Sequence, residues 1–390
     1  MSQSKIYYLY ALLGTCFLTS CQPKDTFDWN AGFSAPKNYI AGGAYIEYFY
    51  QGKSITGVST NMGINPGWGI TSGGYVGGEK FKPVPDSISV SWTDGFDLIE
   101  YKGGYKLPRE KILELFEKKH SDSFGDQTQF KLLTIGMAPG GNMTLWLQGG
   151  LKSVEICKFK VQYFGKQERY DKNSISLWTS TGEEAKEILK YIYTHGIPYK
   201  IWETGEKEYQ YNIGYSTEDK NKKDYSMAIA GYTKDGSYVY SNEDPITYID
   251  WNKKVNLDVK KYKKLPVHFY MQWISRDDQE WFEAEIVLPN DLENQFLDFQ
   301  KKYGKDIFII VGMEKVLENE QYTFGRIWFE NSKGKKEIMK FRAAKLNVSK
   351  TRKIKYEVSK YSLPKGFVFP KWEGREPLTK PTDFDYWEEK

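Results

Sequence analysis

Glu155-Ile156-Cys157-Lys158-Phe159-Lys160 returns as Glu337-Ile338-Met339-Lys340-Phe341-Arg342, 182 residues further on. Outward from that pair the register holds. Phe27-Asp28-Trp29-Asn30-Ala31-Gly32-Phe33-Ser34 matches Tyr209-Gln210-Tyr211-Asn212-Ile213-Gly214-Tyr215-Ser216, and Trp146 matches Trp328, both again at 182. Pro85, Trp92, Tyr101, Leu107 and Pro108 match Pro266, Trp273, Phe282, Leu288 and Pro289 at 181. Chance likeness between aromatic-rich strands does not keep one register over nearly a whole unit, and the period is too long for a solenoid of short repeats. The chain reads as two tandem units, 27–165 and 209–350, with a connector 166–208 between them and a tail 351–390 after them.

Each unit has the same local pattern. Ile88, Val90 and Trp92 alternate along one face of 87–92, as Phe269, Met271 and Trp273 do in the second unit, which predicts half-buried strands. Pro108 opens a short helix, where its missing N–H costs nothing. Ile112, Leu113, Leu115 and Phe116 stripe that helix, as Leu292, Phe296 and Phe299 stripe its counterpart. Leu132–Met137 and Met143–Leu147 flank Ala138-Pro139-Gly140-Gly141, a hairpin signal. Gly312-Met313 repeats Gly136-Met137, but its distance to Trp328 predicts a longer tip in the second unit. In the connector, Thr181 and Glu184 form a capping box, Ala185, Ile188, Leu189 and Ile192 a stripe, and Gly196 with Pro198 a stop. The fold class expected is mainly β with α (α+β): two tandem antiparallel β-rich units, each with one short helix, joined by a helical connector that packs on one or both. The tail, with four prolines and Phe367, Phe369, Trp372 and Trp387, is expected to be pinned across the domains.

Composition agrees with a globular chain. The 390 residues are 40% hydrophobic, 16% aromatic and 27% charged, which excludes disorder over most of the length. A mean hydropathy of −0.63 excludes a multi-spanning membrane protein. A net charge of +4 is too small to argue for nucleic acid.

The N-terminus is an address. Lys5 precedes the apolar run Ile6–Leu18, too short to span a bilayer, and residues 1–20 read as a signal peptide. Leu18-Thr19-Ser20-Cys21 resembles the bacterial lipobox, which implies acylation of Cys21 (a palmitate-type anchor) and a short anchor linker, 21–26. Gln22 stands where Asp would signal inner-membrane retention, so outer-membrane sorting in a Gram-negative envelope is expected, facing the periplasm or the cell surface. After processing only Cys157 remains, so no intramolecular disulfide is available.

A search for chemistry finds no reacting constellation. Three His and one mature Cys offer no metal-ligand spacing, so no metal site and no cofactor are expected. Gly67-Trp68-Gly69 fails the dinucleotide fingerprint, and Gly52-Lys53-Ser54 fails the phosphate-loop pattern. Ser34 and Ser216 recur as framework turns without a nucleophile elbow. Cys157 aligns with Met339, so its slot suits an inert thiol. His195 reads as a structural residue of a helix's last turn. The acids Asp94, Asp97 and Glu100, and Asp277, Asp278, Glu280, Glu283 and Glu285, do not correspond between the units and read as edge charges.

The chain resembles the bacterial lipoproteins grouped as domain of unknown function 2931. The resemblance rests on the lipobox, Trp29-Asn30-Ala31-Gly32-Phe33-Ser34-Ala35-Pro36, Trp92, Tyr105-Lys106-Leu107-Pro108, Thr134-Ile135-Gly136-Met137-Ala138-Pro139-Gly140-Gly141 and Trp146-Leu147. It covers the first unit nearly throughout; the second is a diverged copy. The family has no catalytic motif to carry over. It implies an immunity-type lipoprotein that neutralises a secreted effector.

The expected function is accordingly a non-enzymatic envelope lipoprotein that binds a protein partner. Binding of a glycan or envelope polymer is the alternative, and an envelope hydrolase is the third reading. Contacts are expected where the units differ. These are the glycine-rich loop Gly63–Gly78, with Trp68 and Tyr75 as ring anchors, and the longer tip Glu314–Gln321, with Glu314, Glu318 and Glu320.

Overall fold

The computed structural model describes residues 25–346, except 74, 96–98, 122–125, 150–151, 167–187, 189–190, 193–194, 220–225, 241–245, 275–280 and 316–321. The signal segment with Cys21, the capping-box pair Thr181 and Glu184, the tip acids Glu318 and Glu320, and the tail 351–390 lie outside the described residues.

The chain is mainly β with few helices. In its first part a four-stranded sheet runs Lys152–Lys160, Asn142–Gly149, Leu132–Ala138, Asn30–Ser34. A six-stranded sheet runs Gln162–Lys166, Ile99–Lys106, Ser87–Asp94, Ala41–Tyr50, Lys53–Ser59, Tyr75–Val76. Alternation decides the faces. Ile88, Val90 and Trp92 are buried, and with Trp29, Phe33, Ile46, Ile135 and Leu145 they fill one apolar core. Helix Arg109–Glu117 adds Ile112 and Phe116 to it, and the Phe116 ring stacks on Phe27 at 5.1 Å.

The second part is one sheet. Its order is Tyr238–Tyr240, Ser226–Thr233, Pro266–Ile274, Trp281–Val287, Lys335–Leu346, Tyr322–Glu330, Ile307–Met313, Glu208–Thr217, Thr247–Tyr248. Helix Leu292–Tyr303 buries Leu292, Phe296 and Phe299 against it, the stripe read from the sequence.

Several strand pairings of the two parts correspond. Trp92 lies opposite Tyr101, and Trp273 opposite Phe282. The strand ladders slip at Leu145/Trp146 and again at Ile327/Trp328. One difference has a local cause. Strand Lys335–Leu346 runs unbroken from its partner Tyr322–Glu330 to Trp281–Val287. In the first part the corresponding stretch breaks at Val161, whose N–H bonds the Gly141 carbonyl at 2.9 Å. The tight Pro139-Gly140-Gly141 tip delivers that carbonyl.

One expectation is corrected. Neither part is purely antiparallel, because Asn30–Ser34 runs parallel to Leu132–Ala138 and Glu208–Thr217 parallel to Ile307–Met313. Parallel neighbours need a long crossover, so the pairing joins segments that are distant in sequence and leaves no local signature.

Close packing of rings needs two glycines. Trp68 meets Trp146 edge-on at 4.9 Å, and Trp251 meets Trp328 at 5.2 Å. A Cβ on Gly136 would stand 2.5 Å from Trp146 and 2.7 Å from Trp68; one on Gly312 would stand 2.4 Å from both Trp251 and Trp328. Gly136→Ala and Gly312→Ala are each expected to lower unfolding stability by about 1–3 kcal/mol, the usual cost of overpacking. Urea unfolding checks this. Unchanged midpoints for both would mean that the indole pairs shift aside freely.

Candidate functional site

The turn Thr233–Gly236 of the second part has short polar residues and a glycine, chemistry that closes a hairpin. Four of its backbone groups point into the seam and find partners there. The N–H groups of Lys234 and Asp235 donate to the Glu206 carboxyl at 3.3 and 2.9 Å. The Asp235 carbonyl accepts the Trp202 indole N–H at 2.9 Å. The Gly236 carbonyl accepts the N–H of Lys37 at 3.1 Å and of Trp68 at 2.8 Å. Gly236 has φ +78°, and a Cβ there would stand 2.6 Å from the Lys37 nitrogen, so only glycine lets the two backbones meet.

Rings and aliphatic groups close the seam. Tyr39, Ile40, Trp68, Ala138 and Trp146 of the first part pack with Ile188, Tyr191, Ile192, Ile197 and Trp202 between the parts, and with Val267 of the second. Trp202 lies in the short helix Tyr199–Thr204; its ring meets Tyr39 edge-on at 5.0 Å and Trp68 at 6.5 Å. The Tyr39 hydroxyl donates to the Gly196 carbonyl at 2.7 Å.

Beside this seam lies a cleft of about 900 Å³. Tyr39, Tyr191, Ile197, Leu265, Val267 and Leu288 give it apolar walls, and His195, Glu206, Tyr209, Asn290 and Glu293 its polar points, while Lys200, Lys207 and Lys234 supply positive charge. The Tyr209 hydroxyl bonds the Glu293 carboxylate, and Lys234 Nζ lies 3.4 Å from it.

Electrostatics divides the acids of the seam. Asp235 stays below the usual carboxylate range despite its burial, because Lys264 pairs with it and Thr233 and Ser237 donate to it. Burial pushes Glu206 well above that range, and the charge on Asp235 adds to the effect. Burial also holds His195 down to about 3, with His268 nearby, so its imidazole is neutral. Its Nε2 is closed off from water and has no hydrogen-bond partner among the described residues. At neutral pH the cleft offers a neutral imidazole, a mostly protonated carboxyl and lysine ammonium groups between rings. Such a set can engage a ligand only through hydrogen bonds, charge and apolar contact.

Trp68 was expected as an exposed ring in a mobile loop, and that is corrected. It is 7% exposed, and Gly67, Trp68 and Gly69 all have bonded N–H groups, because the loop forms the first part's wall of the seam. For Tyr75 the structure describes the backbone, paired with Ser59. Glu314 is bonded by Arg326 at the end of strand Ile307–Met313. Cys157 is half-buried, and burial pushes its thiol up to about 11, the unreactive form. Among the described residues no group of three or more His, Cys, Asp or Glu is placed to hold a metal ion. The residues that sequence reasoning missed are Glu206, Asp235 and Lys264. The Asp-Gly of the turn is a hairpin signal, but nothing local shows that two other parts of the chain bond to it.

The described residues form a mainly β chain with a cleft beside the seam between its two parts. Residues 19–200 match the family model described as "Protein of unknown function (DUF2931)", so the first part and most of the segment behind it are similar to that family. No curated protein and no solved structure matches the chain.

The two shifted groups give stability a pH profile. His195, neutral when folded, contributes stability that is present above about 6.5 and lost as pH falls toward 3. Glu206 acts oppositely: the unfolded carboxyl ionises from about 4.5 upward while the folded one keeps its proton, so stability falls as pH rises through neutrality. Together they leave a plateau near pH 4.5–6.5 and a decline above it, of up to about 1.4 kcal/mol per pH unit. Denaturant titrations at stepped pH should show that decline, and Glu206→Gln should flatten it. An unchanged alkaline limb in Glu206→Gln would remove this carboxyl from the account.

Proposed function

We propose that the chain is a lipid-anchored, non-enzymatic binding protein of a Gram-negative envelope. Two copies of one unit are joined by a connector, and the cleft at their seam takes part of a protein partner, in the manner of an immunity-type factor that neutralises a secreted effector. The observation that carries this reading is the cleft, concave and lined by rings at the meeting of two units, a preferred place for binding sites. Lys200, Lys207 and Lys234 at the cleft favour an acidic partner loop. The matched pairings, ladder slips and glycine-spaced indole pairs support descent of the two units from one. Leu18-Thr19-Ser20-Cys21 supports the address, with Glu318 and Glu320 as further partner contacts.

A glycan or envelope polymer is the second reading. Tyr45 is 51% exposed on the outer face of the six-stranded sheet, between Ser91 and Ser59 of its neighbours. A ring on a floor of small hydroxyl side chains suits the face of a sugar.

Two measurements test the proposal. Cys21→Ala is expected to leave the full precursor uncleaved by the lipoprotein signal peptidase; normal processing and membrane partitioning of that variant would overturn the anchor. A photo-crosslinking residue at Lys207 in living cells is expected to give one discrete protein adduct, and Lys200→Glu with Lys234→Glu to reduce its yield at least tenfold. Adducts from position 45 alone, or a yield indifferent to the charge reversal, would take the cleft out of the reading.

A further inference from the structure

The segment that covers the first unit's indole pair has a counterpart in the sequence. Lys190-Tyr191, Gly196, Trp202-Glu203 and Glu206 recur with unchanged spacing as Lys360-Tyr361, Gly366, Trp372-Glu373 and Glu376. Between them Ile197 and Tyr199 become Phe367 and Phe369, while Ile192 and Ile201 are matched by Ser362 and Lys371. In the first copy these residues form the cap: Trp202 covers Trp68, Tyr39 bonds the Gly196 carbonyl, and Glu203 pairs with Lys160.

The second unit has the matching seat. Trp251, Trp328 and Gly312 reproduce Trp68, Trp146 and Gly136, ring geometry included. The two seats differ in cover, since Trp68 is buried whereas Trp251 is only partly buried, with Lys335 Nζ 5.7 Å over its ring and 4.0 Å over that of Trp328. Lys160, the partner of Glu203, is matched by Arg342 in the 182-residue register, so Glu373 would meet a cation there too. Lys360 follows Leu346 by 14 residues, a link that extends to roughly 46–50 Å, longer than a small domain is wide.

We propose that residues 360–376 are a second capping segment, which seats Trp372 against the Trp251–Trp328 pair as Trp202 seats against Trp68–Trp146. Each half of the mature chain is then one unit with its own cap, 27–208 and 209–390. The inference stands on the repeated signature and the partly buried Trp251 ring, independent of the membrane anchor and of the partner.

The test uses the full mature chain in a Cys157→Ser background. Lys160→Cys with Glu203→Cys serves as the reference pair, and Arg342→Cys with Glu373→Cys as the query; a short bismaleimide is expected to bridge both. A bridged reference with an unbridged query would overturn the proposal. Hydrogen exchange gives a second readout. Trp372→Ala is expected to speed exchange in 247–259 and 322–330 at least fivefold while 63–70 and 142–149 stay unchanged, and Trp372→Phe to keep the protection. Equal exchange in all three chains would equally overturn it.

Discussion

The seam depends on the turn Thr233–Gly236. A buried backbone N–H or carbonyl without a partner costs about as much as a lost hydrogen bond, so a turn pushed into a seam must be answered from the other side. Here the answers come from separate stretches of chain: Glu206 and Trp202 between the parts, and Lys37 and Trp68 from the first part. Because four donors and acceptors must align at once, they fix where the two parts sit and where the cleft opens. Asp235 keeps the turn itself in shape through Thr233, Ser237 and Lys264, all of its own half.

The same constraint explains the loop that carries Trp68. A glycine-rich run reads as mobile when only its own residues are considered, and a large ring in it reads as an exposed contact. Its neighbours decide otherwise. Ala35 and Ser34 take the N–H groups of Gly67 and Gly69, Gly236 takes that of Trp68, and the ring fills the space between Trp146 and Trp202. Glycine serves here for close approach of backbone to ring and of backbone to backbone.

What was legible in the sequence follows from the range of each interaction. Period-two burial of Ile88, Val90 and Trp92 and the helix stripe of Leu292, Phe296 and Phe299 are set within a few residues, and both were readable. The ladders slip before Trp146 and again before Trp328, at positions that the 182-residue register also pairs. The parallel pairings were not readable, because the pairing of Gly32 with Thr134 across about a hundred residues writes no local pattern. Nor was the role of Glu206: an acid in a Gly-Glu-Lys stretch looks solvated until the turn and the apolar walls enclose it.

Electrostatics then decides what kind of seam this is. The ion pair Lys160–Glu203 between strand Lys152–Lys160 and helix Tyr199–Thr204 is more than two-fifths exposed on both sides, so solvent screening leaves it worth little. The buried pair Lys264–Asp235 lies within the second part and does not bridge. What crosses the seam is therefore neutral: rings against rings, an indole N–H on a carbonyl, backbone N–H groups on a carboxyl that keeps its proton. Full burial of one large apolar side chain contributes about 1.5–3 kcal/mol, so Tyr39, Trp68 and Trp202 together outweigh any exposed ion pair by several-fold. Cohesion of this kind is insensitive to salt, which screens charge and leaves apolar contact intact. Protons act on it instead, through Glu206, whose carboxyl burial pushes above the usual range.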